Sequence, residues 1–408
     1  MINITSYITV TPQEISPTPL DCSRIAPRIK LNVTLNFIKR YISNMPTTLK
    51  QVAQAARCSV AVASKVLNNA KGNVVVSNET SDRVRKIAQQ MGYRPNHVAR
   101  SLVSRTTKTI GLFIWQEGPF SGISQDYEAN MIAGIDEVTR QRGYDTMLLN
   151  ASGDDPLGNC IDKCRQGRFD GLILLRTPED EKWLNQLAKH MPHVVAINTL
   201  CEAPQTDVAI FDHHMACKLA LEHLMSLGHR KIGFIGNTRP IHSGSARRDI
   251  GLEQRQLGFI KAAKVLGLQI DERWIFDTQW KQYVPKPGED FICQEGHMAV
   301  QWFESLDNKP TAYIGGVFRS AIGAIQRCQQ MGLSVPDQRS IVGIGDREWC
   351  KFITPPLTTI SNSLTPIGHW AATRLIDRIE HKAHATQGVR QVFAPQLILR
   401  QSTGPCDA

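Results

Sequence analysis

The lysine and arginine residues of this 408-residue chain are concentrated in one short segment. Residues 46–108 contain eleven Lys and Arg but only two acidic residues, Glu79 and Asp82, which gives a net charge of +9. Residues 1–45 carry +3, whereas residues 109–408 carry −2, with 31 basic and 33 acidic residues. A compact basic segment beside a nearly neutral remainder favours a polyanion-binding domain joined to a separate soluble domain, although a solvated basic face would have the same composition.

Residue patterns that support catalysis or metal binding are missing from the sequence. The ten cysteines include no C-x-x-C pair, and Cys160 and Cys164, which share a helical face, have no nearby Cys or His to complete a metal set. The motifs G-x-S-x-G, H-E-x-x-H, G-x-G-x-x-G and the Walker loop do not occur. We therefore expect no metal, no cofactor and no enzymatic activity, and scattered cysteines of this kind are typical of reduced thiols in a cytoplasmic protein.

The N-terminal region predicts neither a signal peptide nor a membrane anchor. It lacks a basic segment followed by a continuous apolar run, and no apolar run in the chain approaches the roughly 18–20 residues that span a bilayer. Residues 1–45 show no helical or strand period and contain several prolines, so we expect a disordered extension. Met45 directly precedes the first organised stretch, and one hypothesis is that it is the true start, which an intact-mass measurement of the natural protein would test.

The segment over residues 46–94 predicts a helix-turn-helix. In "TTLKQVAQAARCSVAVASKVLNN", Thr48 is an N-cap with Gln51 three residues later, the two ends of a capping box. Ser59 caps a second helix, and only about three residues separate it from the first, a spacing typical of DNA-binding motifs. Ser77 caps a third helix, so that three short helices are expected to share one small apolar core.

From Thr109 onwards the pattern changes to short apolar strands that alternate with helices. "TIGLFIW", "DGLILL", "HVVAIN", "KIGFIGN" and "SIVGIGD" are typical of buried parallel strands, and about ten such runs occur over residues 109–403. The fold class predicted is therefore α/β, with doubly wound parallel sheets. About ten strands are more than one sheet of this type usually holds, so we expect two subdomains, with a ligand crevice between them at the carboxyl ends of the strands.

The motifs together resemble the LacI/GalR family of bacterial transcription regulators, over essentially residues 47–403. The resemblance is carried, in order, by "TLKQVAQAARCSVAVASKVLNN", "VSNETSDRV", "GYRPNHVARSL", "LALEHLMSLGHRKIGFIG", "RQLGFIKAAKVLGL", "SIVGIGD", "TPPLTTI" and "LRQST". It implies a helix-turn-helix domain at 46–94, a hinge helix and linker at 95–108, and a periplasmic-binding-protein-like core of two subdomains at 109–403.

The resemblance also implies partners and a location. The expected protein is a cytoplasmic repressor that binds pseudo-palindromic double-stranded operator DNA as a homodimer or tetramer, with no membrane association. Its core is expected to bind a small-molecule effector, a sugar or a sugar derivative, as part of carbohydrate or related catabolic gene control. Two alternatives stay open: a solute-binding protein without a regulatory role, which the missing signal peptide and the fused basic segment disfavour, and a regulator without a small-molecule effector.

The family's base-reading positions correspond to Val60, Ala61 and Lys65 at the start of the second helix. Val60 and Ala61 offer only apolar contact, as to a thymine methyl group, whereas Lys65 is able to donate to guanine. Arg57 stands in the turn where the family often has Gly, and Ala63 where it often has Val. The other positions carried over as DNA contacts, mainly to phosphates, are Thr48, Leu49, Ser59, Ser64, Asn68, Ser77, Thr80 and Tyr93.

The stretch "RPNHVARSL" matches the family's hinge helix. Pro95 is expected to set the helix start, and the helix is shorter than the roughly 12–15 residues needed for stability in isolation, so it should fold only when paired over DNA. The resemblance implies that Leu102 wedges between base pairs in the minor groove, with Asn96 and Ala99 near the groove floor. The competing interpretation of Leu102 is an ordinary core leucine.

The effector crevice follows the family less closely. Tyr127 and Arg255 match its aromatic and arginine positions, and an Arg there suits sugar hydroxyls or a carboxylate. Later positions depart: Val317-Phe318 replaces Asn-Asp, Gly345-Asp346 replaces a pair of acids, and an Asp is replaced by Met215. These departures argue against a simple hexose. The predicted effector-binding residues are Tyr127, Arg176, Arg255, Trp280, Phe318 and Asp346.

Overall fold

The computed structural model describes residues 47–68, 75–114, 126–149, 155–176, 180–200, 204–236, 250–276, 290–362, 364–381 and 387–406. The chain divides into two compact units, with the boundary between Arg100 and Ser101. The extension over residues 1–45 and the candidate start at Met45 lie outside the described residues. Within those residues, no helix is long and apolar enough to cross a membrane.

The first unit contains three helices, α1 (Leu49–Ala55), α2 (Val60–Asn68) and α3 (Asn78–Gln90). Their apolar faces meet in a small core, whose buried residues are Val52, Ala53, Ala56, Ala63, Val84 and Ala88. Most of these side chains are alanines, so the helices approach closely but bury little apolar area. A core of this size leaves a small reserve of stability.

Each of the three helices begins at the polar residue that the sequence predicts as its cap. Thr48 accepts a hydrogen bond from the Gln51 N–H at 3.4 Å, and the Gln51 side chain accepts one from the Thr48 N–H at 2.8 Å. The predicted capping box is therefore confirmed. The hydroxyls of Ser59 and Ser77 each accept an N–H from three residues further on, at 3.2 and 3.3 Å.

The turn between α1 and α2 places Arg57 in the left-handed backbone region, with a φ of 51°. A residue with a Cβ atom pays about 1–2 kcal/mol for this conformation, whereas glycine adopts it without steric cost. The left-handed backbone of this turn therefore explains why glycine is common at this position in the family. Arg57 keeps the turn but bears that cost.

Helix α4 (His97–Ser104) corresponds to the predicted hinge and spans the boundary between the two units. The side-chain oxygen of Asn96 accepts the Ala99 N–H at 3.4 Å, so Asn96 is the cap. The expectation that Pro95 opens the helix is wrong, because Pro95 precedes this cap. A proline side chain has no acceptor for the free N–H groups of the first turn, whereas asparagine provides one.

The second unit contains two six-stranded sheets. The first sheet has the order β2-β1-β3-β4-β5-β11, with strands β1 (Thr109–Ile114), β2 (Asp145–Leu149), β3 (Gly171–Arg176), β4 (Val194–Ile197), β5 (Asp207–Phe211) and β11 (Arg390–Phe393). The second has the order β7-β6-β8-β9-β10-β12, with strands β6 (Ile232–Ile235), β7 (Ile275–Phe276), β8 (Ala312–Gly315), β9 (Ser340–Ile344), β10 (Thr358–Ser361) and β12 (Gln396–Ile398). All described pairings are parallel except that of β12 with β10.

The helices that accompany these sheets are α5 (Asp126–Arg142), α6 (Pro156–Arg165), α7 (Glu181–His190), α8 (His213–Ser226), α9 (Ile250–Val265), α10 (Phe291–Ser305), α11 (Phe318–Gln330), α12 (Trp349–Phe352) and α13 (Leu364–Ile379). The chain passes between the sheets after β5, after β10 and after β11. One hydrophobic cluster contains residues from both sheets, among them Ile173 and Ile314. The predicted α/β class with two parallel-sheet subdomains is confirmed.

The C-terminal strands β10, β11 and β12 were not among the runs that predict strands. Each has only three or four residues, and the outer faces of β11 and β12 are exposed. The equally short strands β4, β6 and β8 are recognisable because they are buried apolar runs, whereas a short strand with many polar residues is not. Its position is set by pairing with a neighbour that is distant in sequence, as when β11 joins β5.

Candidate functional site: a helix-turn-helix surface and a crevice in the core

The predicted base readers lie at the exposed start of α2. Val60 is 45% exposed and Ala61 is exposed, while Lys65, one turn later, is half-buried. Two apolar side chains presented to solvent at a helix N-terminus have no partner within the core and match the geometry by which such a helix enters the major groove. Their contact with bases remains a prediction.

The other predicted contacts of the first unit have structural roles as well. Leu49 and Tyr93 pack against the small core, and Ser59 and Ser77 are caps. The hydroxyl of Thr80 accepts a hydrogen bond from Ser77 at 3.0 Å. Thr48 is exposed and Ser64 half-buried, and Asn68 is the last residue of α2, with a side chain outside the described part of the structure. If a capping residue also contacts a phosphate, the same side chain fixes the first turn of its helix and the position of the DNA backbone.

On α4, Leu102 is 78% exposed and Ala99 is exposed as well. The alternative that Leu102 is an ordinary core leucine is therefore wrong for the isolated chain. An eight-residue helix that presents a leucine to solvent gains little from its own packing. Helix α4 thus has the properties expected of an element completed by a partner.

The first part of the crevice is built at the end of β4. Asn198 follows this strand with a φ of 53°, and its side-chain oxygen accepts the Phe211 N–H at 2.9 Å. Its amide nitrogen donates to the hydroxyl of Tyr127, which is carried by the first turn of α5. The predicted aromatic residue therefore lies against the carboxyl ends of β4 and β5, as the resemblance implies.

Arg255 on α9 is the centre of the second part. It is 7% exposed, donates through Nε to Nδ1 of His213 at 3.2 Å, and also donates to the carbonyl oxygen of Gly316. Burial, with the positive charge of Arg255 as a smaller cause, holds the pKa of His213 well below its ordinary value. His213 is therefore neutral and accepts at Nδ1, which assigns its proton to Nε2.

Arg347, which follows β9, contributes a second guanidinium. Its side chain lies over the ring of Phe318 at 5.8 Å and donates to Asn362 at 3.0 Å. Burial lowers the pKa of Arg347, while the negative charge of Asp126 acts in the opposite direction. Because Asp126 begins α5 and Arg347 follows β9 of the other sheet, this electrostatic attraction acts across the crevice.

The remaining predicted effector residues are placed differently. Phe318 begins α11 and is 7% exposed, so it supports Arg347 more than it lines an open apolar pocket. The carboxylate of Asp346 is held by Arg400 at 2.8 Å and by the hydroxyl of Thr359 at 2.7 Å. Arg176 is the last residue of β3, with a side chain outside the described part of the structure, and Trp280 lies outside it altogether.

Sequence reasoning missed Asn198, His213 and Arg347. Each lies within three residues of the carboxyl end of a parallel strand, where ligands bind in open α/β sheets. That rule, applied to the strands that the sequence does predict, would have found all three. Arg347 is the most informative of them because it adds a half-buried positive charge.

Comparisons with known proteins agree with this geometry. Residues 48–96 match the model of bacterial regulatory proteins of the lacI family, and residues 221–403 match that of a periplasmic binding protein-like domain. The chain is 30% identical over 361 residues to the HTH-type transcriptional repressor PurR of Aliivibrio salmonicida, which covers 87% of the chain and 98% of the relative.

The chain belongs to the lacI family of bacterial regulatory proteins. A second relative, PurR of Haemophilus influenzae (strain PittEE), is 30% identical over 359 residues, covering 87% of the chain and 98% of the relative. A crystal structure of the lac repressor dimer bound to operator and the anti-inducer ONPF has a TM-score of 0.70 at 23% identity, covering 88% of this chain and 99% of that one.

A structure of the regulator CelR in complex with cellobiose has a TM-score of 0.60 at 22% identity, covering 87% of this chain and 99% of that one. Family membership and the two matched domains identify a DNA-binding transcriptional repressor with an effector-binding core. The relatives compared are repressors rather than enzymes.

Proposed function

We propose that two copies of this chain bind a pseudo-palindromic operator, with each α2 in the major groove and the paired α4 helices in the minor groove. The observation that carries the proposal is the exposure of Val60, Ala61 and Leu102, apolar side chains on short helices that leave them unburied. Base edges and base steps are surfaces that bury such side chains. The basic charge of residues 46–108 supplies the attraction to phosphates.

A gel shift with sheared genomic fragments tests the DNA-binding part of this proposal. We expect a few fragments to be retained at moderate salt, with an affinity that falls steeply as salt increases. Sequencing of the retained fragments should show two half-sites related by a dyad. Retention without any common sequence would contradict the proposal, and a half-site present only once would contradict the dimer.

We further propose that a small polar molecule with an acidic group binds in the crevice and changes the affinity for DNA. Arg255, which is buried, and Arg347, which is half-buried, place two guanidinium groups at the ends of the strands. Asp126 and Asp346 both act on Arg347, but Asp346 is also paired with Arg400, so two carboxylates face three guanidinium groups. Guanidinium groups in a partly desolvated site favour carboxylate or phosphate over a neutral hydroxyl. An acidic sugar derivative fits both this charge and the expected carbohydrate context.

Matched pairs of ligands separate charge from sugar shape. Glucose and glucuronate, galactose and galacturonate, and ribose and ribose 5-phosphate differ within each pair by the acidic group. We expect thermal stabilisation by one of the acids and none by its neutral partner, with the effect lost in Arg347→Met. Stabilisation by a neutral sugar alone would contradict the acidic class, and no response to broader metabolite panels would favour a regulator without an effector.

A further inference from the structure

Four residues, Arg105–Lys108, connect the end of α4 to the first strand of the core. Arg105 and Lys108 both have left-handed backbone, with φ of 56° and 51°. The hydroxyl of Ser104 accepts the Thr106 N–H at 3.3 Å and donates to the Thr106 carbonyl oxygen at 3.1 Å. This connection is therefore a folded turn with its own hydrogen bonds rather than an extended tether.

A single carboxylate holds the second half of this turn. One oxygen of Asp170 accepts from the N–H and the hydroxyl of Thr107, at 2.7 and 2.9 Å. The other oxygen accepts from the Lys108 N–H at 2.8 Å. Asp170 lies immediately before β3, and its own N–H donates to the Thr109 carbonyl oxygen at 2.8 Å. Hydrogen bonds to a charged acceptor are stronger than neutral ones, so Asp170 fixes Thr107 and Lys108 to the edge of the sheet.

The side chain of Lys108 provides a second attachment. Its Nζ lies 3.1 Å from an oxygen of Glu380 and 4.2 Å from the centre of the Tyr144 ring. The other oxygen of Glu380 accepts from Arg142 at 2.8 Å, and Arg142 also reaches Asp377 at 2.9 Å. We call Asp170 and Glu380, with Thr107 and Lys108, the linker clamp.

Glu380 is connected to the crevice by a helix. It directly follows α13, which begins three residues after β10 ends, at one of the passages between the two sheets. A helix of 16 residues is about 24 Å long. Helix α13 therefore reaches from a passage between the sheets to the residue that holds Lys108.

Helix α13 does not act alone, because it is in backbone contact with α5. A Cβ atom on Gly368 would lie 2.0 Å from the carbonyl oxygen of Met131, and one on Gly134 would lie 2.1 Å from that of Thr365. Two helices this close shift together rather than slide past side chains. Since α5 carries Asp126 and Tyr127 at its start, the same pair of helices touches both the crevice and the linker clamp.

We infer that Asp170 and Glu380 are positioning residues through which the core sets the geometry of α4, and hence the affinity for operator DNA. The inference rests on the hinge role proposed for α4. Only Arg105 and Thr106 separate Ser104 from the clamped residues, so a shift of α13 or of the start of β3 reaches the hinge with little slack. Without the clamp, the linker must be ordered when DNA binds, at an entropic cost.

The test uses Asp170→Asn in the full-length protein, with Asp162→Asn as the matched control. The asparagine amide keeps one acceptor but presents a donor to the Lys108 N–H. Asp162 belongs to the same subdomain, and its exposed carboxylate pairs with Arg165. Affinity and bending are measured on a fragment retained by the wild type and on a scrambled fragment of equal length. Hydrogen exchange of residues 105–108 and the melting temperature of the core are measured on the same samples.

We expect Asp170→Asn to weaken binding of the retained fragment about tenfold and to reduce its bending, with the scrambled fragment bound as before. Exchange at residues 105–108 should become faster, and Asp162→Asn should match the wild type. Glu380→Gln should show the same pattern with a smaller effect, since it leaves the Asp170 hydrogen bonds in place.

A lower melting temperature with unchanged affinity and bending for the retained fragment would show that Asp170 only stabilises the core, and would overturn the inference. If the wild type retains no specific fragment, the proposed operator binding fails instead. The two failures are distinguishable because the first requires a retained fragment that both proteins bind equally.

Discussion

The DNA-binding unit and the crevice place their functional residues in opposite ways. In the first unit, Val60 and Ala61 are positioned by the helix that carries them and by a cap one residue away, Ser59. In the crevice, Asn198, His213 and Arg347 come from strand ends that are far apart in sequence and meet only when two sheets have formed. Local order is therefore sufficient for the first site, whereas the second depends on the whole core.

The two regions also treat charge differently. The basic residues of the first unit are mostly exposed and act together on a polyanion. Arg255 is buried and Arg347 is half-buried, and each is held individually, by His213 and Gly316 in the first case and by Asn362 in the second. An exposed surface tolerates exchange of one lysine for another, but a buried guanidinium selects its ligand by geometry.

The largest expected effect comes from a charged residue placed in the core of the first unit, which should unfold that unit and leave the second unit folded. Ala63 is fully buried in a core of six small residues, so Ala63→Asp should cost about 3–5 kcal/mol and unfold that unit. Calorimetry of the full-length protein should lose its low-temperature transition while the core transition stays within about 2 °C. Ala55→Asp, at an exposed position of α1, is the control. A core transition that falls together with the first would contradict their independence.

The hinge helix offers the next largest effect. Leu102→Ala should weaken specific DNA binding by roughly 30- to 100-fold and reduce bending, because the side chain that would wedge between base steps is removed. Leu399→Ala is the control: it removes a leucine of the second unit that is 63% exposed, and it should leave DNA affinity and bending unchanged. A permuted-fragment gel assay measures the bend. A variant that bends DNA as the wild type does would remove Leu102 from the proposed role.

The sequence predicts the DNA-binding unit in more detail than it predicts the crevice. Caps at Thr48, Ser59 and Ser77 were predictable because each acts within three residues of itself. The pairing of Asp346 with Arg400 was not, because it joins β9 to a segment that is positioned by the antiparallel strand β12. Family resemblance supplied Tyr127 and Arg255. It did not supply Arg347, which lies three residues after the end of β9.

Acid should affect the core and not the DNA-binding unit. Burial holds the pKa of His213 well below its ordinary value, and burial also lowers that of His193, His223 and His229. These groups bind protons less readily in the folded core than in the unfolded chain, so the free energy of unfolding of the core decreases as pH falls below about 6.5. For each further unit of pH decrease, a fully buried histidine lowers the free energy of unfolding by at most about 1.4 kcal/mol.

The three-helix part of the first unit, over residues 46–94, contains no histidine, so its transition provides an internal reference. Melting temperatures of both transitions measured between pH 7.5 and 5 should show a decline in the core alone. His213→Gln should flatten this decline, since glutamine keeps an acceptor for Arg255 but does not titrate there. An equal decline in both transitions would indicate that the effect does not arise from the buried histidines.

The smallest effect tests the cost that Arg57 bears. Glycine would relieve about 1–2 kcal/mol of left-handed strain but add about 0.5–1 kcal/mol of entropy to the unfolded chain. Arg57→Gly should therefore stabilise the first unit by about 0.5 kcal/mol, which raises its melting temperature by roughly 2–4 °C. Arg85→Gly, in the middle of α3, should instead lower it, because glycine is unfavourable inside a helix. If Arg57→Gly also weakens DNA binding while it stabilises the fold, this chain has exchanged stability for a phosphate contact at the turn, and its recognition surface then extends beyond α2.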